Sequence, residues 1–142
     1  MSKGDTFEND LMKLIFQATA IANIADNASS SPLTSLYVSL HTADPGETGV
    51  QNTSETSYTG YARVAVARTA GGFTVTTNSV SPAANIDFGI CTSGTPTLTH
   101  FAIGVASSGA TKILYKGTVT PNIVVAPGVT PRLTTASTIT ED

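Results

Sequence analysis

The chain has 142 residues, 40% of them hydrophobic and only 12% charged, which fits a single globular domain over residues 1–142 built on one core. Cys91 is the sole cysteine, so an intramolecular disulfide framework and a multi-cysteine metal cluster are both excluded. Seven basic against ten acidic residues give a net charge of -3 with no run of Lys or Arg, which argues against binding to nucleic-acid phosphates.

The 24 Thr, 14 Ser and 12 Gly, with no Trp, favour strands and turns over surface helices. The most apolar stretch, residues 11–24, is broken by Lys13, Gln17 and Asn23 and falls short of a membrane span. Asp5, Glu8 and Asp10 stand where a secretory leader would be basic, and only Lys3 is.

Residues 1–27 read as the one helix, because Phe7, Leu11, Leu14, Ile15, Ala18, Ile21, Ala22 and Ala25 recur three or four apart as an apolar stripe. Asp5 and Glu8, three residues apart, suit its first turn as reciprocal caps and as charges at the positive helix end. A Ser-rich stretch closed by Pro32 ends it. The stripe calls for a partner surface, either the region that follows or another subunit. From Leu36 the period drops to two: Leu36, Val38 and Leu40 share one face, and Tyr37, Ser39 and His41 the other, the pattern of a half-buried strand.

Residues 42–57, with Asp44-Pro45-Gly46 and Thr48-Gly49, read as a polar, solvated loop. Alternation resumes at Tyr61, with Ala62, Val64 and Val66 opposite Tyr61, Arg63 and Ala65, and Gly71-Gly72 then turns the chain into a strand at 73–77. Further strands are predicted over 85–88, 98–106, 112–119, 122–126 and 132–139, parted by proline and glycine signals such as Pro82, Pro121 and Pro127-Gly128. The prediction for residues 33–142 is an all-β, jelly-roll-like antiparallel sandwich of about eight strands behind one N-terminal α-helix. Without a strand-helix-strand rhythm, doubly wound and barrel-type α/β enzyme scaffolds are excluded.

Groups able to do chemistry are few. His41 and Asp44, with Glu47 and Glu55 in the same loop, invite a metal reading, but the spacing crosses a proline turn and the ligand set is incomplete for zinc. The plainer reading is a polar strand end. His100, beside Phe101, reads as a half-buried strand residue, and Cys91 as a small buried hydrophobe. No nucleophile elbow or phosphate-binding glycine pattern occurs, so no catalytic, cofactor-binding or metal-ligating residue is assigned. Tyr37, Tyr58, Tyr61 and Tyr115 could present stacking rings to a sugar, although 6% aromatic content favours cross-strand packing. Arg68, at the end of the pattern that holds Val64 and Val66, points inward and needs a carboxylate or carbonyl partner if those valines face the core.

Residues 36–46 (LYVSLHTADPG) and 58–68 (YTGYARVAVAR) resemble a family of small tailed-phage virion proteins, with later blocks at 101–106, 113–125 and 130–142. Members often carry labels such as tail fibre protein. The resemblance implies a capsid cement or decoration protein of jelly-roll fold that is made in the host bacterial cytoplasm, sits outside an icosahedral shell and pairs with itself. Its implied partners are the major capsid protein and a second copy of the chain, with no nucleic acid, membrane or cofactor. The alternative is a tail or tail-fibre component that touches the host surface, and a third reading is a small hydrolase in which His41 or His100 meets Cys91 or a carboxylate. Residues expected at an interface are Phe7, Leu11 and Leu14 of the helix stripe, His41 and Asp44 at the polar loop, and Arg68.

Overall fold

The computed structural model describes residues 5–21 and 32–141. Among them are one helix, α1 (Asp5–Gln17), and nine strands: β1 (Ser35–His41), β2 (Val64–Ala67), β3 (Phe73–Thr76), β4 (Ser79–Pro82), β5 (Ile86–Asp87), β6 (Thr97–Gly104), β7 (Ile113–Val124), β8 (Arg132–Leu133) and β9 (Ile139–Thr140). The all-β class with an N-terminal helix is therefore the architecture of the chain, its sheets antiparallel. The chain forms two compact units, one from the described parts of residues 1–35, 66–85 and 133–142, the other from 36–65 and 86–132.

In the first unit the tight β3–β4 hairpin pairs Phe73 with Pro82 and Thr76 with Ser79, and β9 adds to the other edge of β4. Here Pro82 is the last residue of a strand, not the separator expected from sequence, because a strand end can do without a donor. Helix α1 packs on this hairpin. Its buried face is Glu8, Met12 and Phe16, spaced four apart, and the Phe16 and Phe73 rings meet edge to face at 4.9 Å. Asn9 Nδ2 donates to Thr77 O at 2.5 Å and Gln17 Nε2 to Phe73 O at 3.2 Å, so polar side chains fix both ends of the contact.

The helix is shorter than the sequence stripe implied. It stops at Gln17, where Ala18 turns left-handed (φ 54°) and Thr19 N donates to Lys13 O. Ile21 is buried beyond that stop, while Ala22 and Ala25 fall outside the described residues.

The second unit holds most of a four-stranded sheet in the order β2-β1-β6-β7. β1 pairs with β6 from Tyr37 opposite Gly104 to His41 opposite His100. The two strands expected on either side of Pro121 are one long strand, β7: its register against β6 jumps between Thr118 and Ile123, so Pro121 lies in a bulge where its missing donor interrupts no ladder bond. The strand expected at 132–139 is instead β8 and β9 with a turn between them, closed by Ser137 N donating to Thr134 O.

β1 also departs from its half-buried pattern. Leu36, Val38 and Leu40 are buried as expected, but so are Ser39 and His41 on the opposite face. That second, polar face is covered, and what covers it forms the centre of the candidate site.

Candidate functional site

Residues 42–57 are a loop, as their turn signals indicate, but not a solvated one throughout. Gln51 and Thr56 are buried, and the loop folds back so that Thr56 N donates to Leu40 O and Gln51 N to Thr111 O. Arg63 lies at the centre of the arrangement. Its side chain is 2% exposed and grips Glu55, itself 12% exposed, through two parallel bonds of 2.8 Å, Nε to Oε1 and Nη2 to Oε2. Three guanidinium protons remain for four acceptors: Nη2 donates to Gly109 O, and the two Nη1 protons are shared among Gln51 Oε1, Ala106 O and Thr111 Oγ1, at 2.8–3.3 Å. One arginine thus ties together the 42–57 loop, the 105–111 turn and the start of β2.

The network continues inward. Gln51 accepts from Arg63 and Thr111 at its oxygen, so its amide nitrogen is free to donate to Tyr37 O at 2.7 Å and Ser39 Oγ at 3.2 Å. Gly104 makes room for this: a Cβ there would lie 2.0 Å from Gln51 Oε1 and 2.8 Å from Lys112 O. Tyr61 Oη donates to Glu55 Oε1 at 2.8 Å and accepts from Leu40 N, and burial, the largest cause, holds this phenol protonated well beyond the ordinary tyrosine range.

His41 is fully buried. Its Nδ1 faces Thr53 O at 2.9 Å, and a carbonyl only accepts, so Nδ1 carries the proton and Nε2 of the neutral ring accepts from Ser39 Oγ at 2.9 Å. Burial is the main cause that lowers its pKa below 6.5; the Thr53 bond and Glu55 oppose it, while Arg63 and His100 add to it. Between that lowered value and 6.5 the unfolded chain binds more protons than the folded one, so stability rises with pH through this window. Urea unfolding at pH 5 is expected to need less denaturant than at pH 7.5. His41→Gln is expected to flatten that difference; an unchanged slope would assign the acid sensitivity elsewhere. Asp44 and Asp87 do not confuse the measurement, because both have pKa values already lowered from 3.8, Asp44 chiefly by the Gly46 amide and Asp87 by Arg132.

Arg68 meets the carbonyl partners that an inward-pointing strand-end arginine requires. Nε donates to Ile15 O at 2.6 Å, Nη2 to Leu14 O at 2.5 Å and Nη1 to Leu33 O at 3.1 Å. Leu14 and Ile15 hold two of the last four helix carbonyls, which lack intrahelical donors and carry the negative end of the helix dipole. The last turn of α1 has no basic residue of its own, so Arg68 supplies the cation from a distant strand end. Replacing it by Met should cost about 1.5–3 kcal/mol, the range for hydrogen bonds to a charged group, with a parallel loss of helical ellipticity. A Met variant that kept full helicity and stability would show the latch to be idle.

Of the other residues singled out from sequence, Asp44 is exposed and, with Glu47, pairs with Lys116 Nζ at 3.1 Å. Phe7 is 40% exposed, and Leu11 and Leu14 are half-buried, so the predicted stripe is not the face that α1 buries. His41 and His100 are brought together as cross-strand partners, with His100 half-buried and its Nδ1 2.8 Å from Thr99 Oγ1. Buried Cys91 donates to Gly94 O at 3.4 Å. Tyr58 is buried, its hydroxyl donating to Gly89 O, and it packs edge to face on Tyr61, which stacks on Phe88. Among the described residues no group of three His, Cys, Asp or Glu side chains could hold a metal ion, and no helix is long and apolar enough to cross a membrane. Sequence reasoning passed over Arg63, Glu55 and Gln51 as a unit. The available signal was the scarcity of charge, in a chain that places Glu55 of the loop and Arg63 after it only eight residues apart.

No curated protein matches the chain. A family model described as podophage GP4 fiber I protein gp80 matches residues 3–140, nearly the whole sequence. The chain therefore belongs to the podophage GP4 fiber I protein gp80 family and is a phage virion structural protein.

Proposed function

We propose that the chain is a non-enzymatic connector in a fibre assembly of the virion, joining neighbouring subunits through preformed faces, its own copies among them. The match of residues 3–140 to a family described by a fiber protein carries this reading. The arrangement of polar side chains supports it. Ser39 and His41 are hydrogen-bonded to each other, yet both are fully buried, so this hydroxyl and imidazole meet no substrate. Their energy goes instead into fixing a loop that carries exposed Asp44, Glu47 and Val50. A rigid loop and short Ser and Thr side chains lose little entropy on docking. A subunit that touches two neighbours at once must lose both contacts before they separate, so modest interfaces add up to a durable particle.

Capsid cement is the second reading, favoured by the sequence blocks at 36–46 and 58–68, and it uses the same physics on the shell exterior. Antibody labelling of intact virions, followed by cryo-electron microscopy, separates the two. Label on fibres attached to the tail is the expected result. Label spread over the shell would replace the fibre reading by cement, and unlabelled virions would remove both. In solution the connector should be larger than the 14.5 kDa monomer by light scattering.

A further inference from the structure

We propose that the second unit carries a binding groove for a neutral saccharide, a role that does not depend on where in the virion the chain sits. The groove is open and has a volume of about 440 Å³, within the roughly 300–1,000 Å³ of small-ligand sites. One wall comes from residues 55–59 and the other from Ser93, Gly94 and Pro96.

Its lining selects the ligand class. Six of the nine lining residues bear hydroxyls; those of Thr42 and Tyr58 already donate to Ser54 O and Gly89 O, which leaves the hydroxyl protons of Thr56, Ser57, Thr59 and Ser93. Ser57, Thr59 and Ser93 are exposed at the rim. Thr56 is 4% exposed, and its Oγ1 finds no hydrogen-bond partner in the protein, which a native fold leaves only rarely. Glu55 is the one ionised group in the lining, and Arg63 neutralises it through the bidentate pair. An anion meets that carboxylate without a cation of its own; a cation finds no second carboxylate; an apolar ligand finds little beyond Pro96. A sugar hydroxyl both donates and accepts, as the lining hydroxyls do.

The groove is also preformed. Thr59 and Ser93 form a β-bridge in which Thr59 N donates to Ser93 O at 2.9 Å, and Thr92 N donates back to Thr59 O. Tyr58 is held under it by its bond to Gly89 O, so its ring supports the floor and offers no stacking face. Without an aromatic platform a single sugar should bind only in the millimolar range, and specificity comes from hydroxyl geometry.

The test is a titration of the ¹⁵N-labelled full chain with methyl glycosides of glucose, galactose, mannose and rhamnose and with a neutral oligosaccharide series. Glucuronate and glucosamine serve as charged probes. Saturable shifts confined to the amides of residues 55–59 and 93–94, from a neutral sugar, are the expected result. Shifts that grow with oligosaccharide length would identify a polymer repeat as the ligand, and equal shifts a free sugar. Thr59→Val with Ser93→Ala, which leaves the backbone bridge in place, should weaken binding at least tenfold, and Ser57→Phe should block the groove by bulk if the double variant fails to fold. No saturable shift from any neutral sugar, tighter binding of a charged probe, or binding unchanged in both variants would overturn the proposal.

Discussion

Replacing Arg63 by Met should lower the stability of the folded chain by about 3–5 kcal/mol, the cost of breaking a buried ion pair from one side. The guanidinium makes six bonds to five partners, and its removal leaves the Glu55 carboxylate with only Tyr61 as donor while Gln51 Oε1 keeps only Thr111. A Met stem fills much of the same volume, so the loss reports on the polar network more than on packing. Arg63→Lys keeps the charge and loses the fork, so most of the cost should remain. Adding Glu55→Gln to the Met variant should recover part of it, because the orphaned charge is then gone, and the double-mutant cycle measures the coupling directly. Urea unfolding gives the energies. Hydrogen exchange at Gln51 and Thr56, whose amides bind Thr111 O and Leu40 O, shows whether the loop opens before the sheet does. A loss under about 1 kcal/mol would mean that water replaces the network freely and that the loop is not braced by it.

How far the sequence disclosed this arrangement depends on the range over which each signal acts. Period-two alternation placed β1 and β2 within a few residues, since side-chain facing is set by neighbours in the chain, and glycine and proline turn signals did the same for β3 and β6. The same rule failed for Ser39 and His41. Alternation says that they share a face; only the return of the 42–57 loop decides whether that face is wet. Arg63 and its carbonyl partners Ala106 and Gly109 are more than forty residues apart, so no local pattern joins them. Arg68 was legible as a cation needing a carbonyl, because a strand end fixes its direction, but the helix that supplies the carbonyls lies over fifty residues away.

Pro121 and Pro82 look like breaks in the sequence, yet one sits in a bulge and the other is the last residue of its strand, where a missing donor interrupts little of the ladder. The helix posed a different ambiguity. Leu11, Met12, Leu14, Ile15 and Phe16 spread apolar groups around more than half the cylinder, so periodicity fixes the element without choosing the face it buries.

Phe16→Ala tests which face that is. Phe16 is fully buried, packs edge to face on Phe73 and shares its stripe with Met12 and Glu8, so truncation removes the ring contact between α1 and the β3–β4 hairpin. The expected cost is about 3–5 kcal/mol, transfer and cavity terms together. A helix of 13 residues is marginal in water without a surface to pack on, so its ellipticity at 222 nm should fall as docking weakens. Phe16→Leu retains a core side chain and should cost visibly less. Leu11→Ala, on the half-buried flank, is the internal control: it should leave most of the stability in place if Glu8, Met12 and Phe16 form the seat. Should Leu11→Ala instead cost as much as Phe16→Ala, the seat would lie on the stripe that includes Phe7 and Leu14, and that stripe would no longer be available to a neighbouring subunit. Equal and small effects from both would mean that the Asn9 and Gln17 bonds, with the Arg68 latch, hold the helix without apolar help.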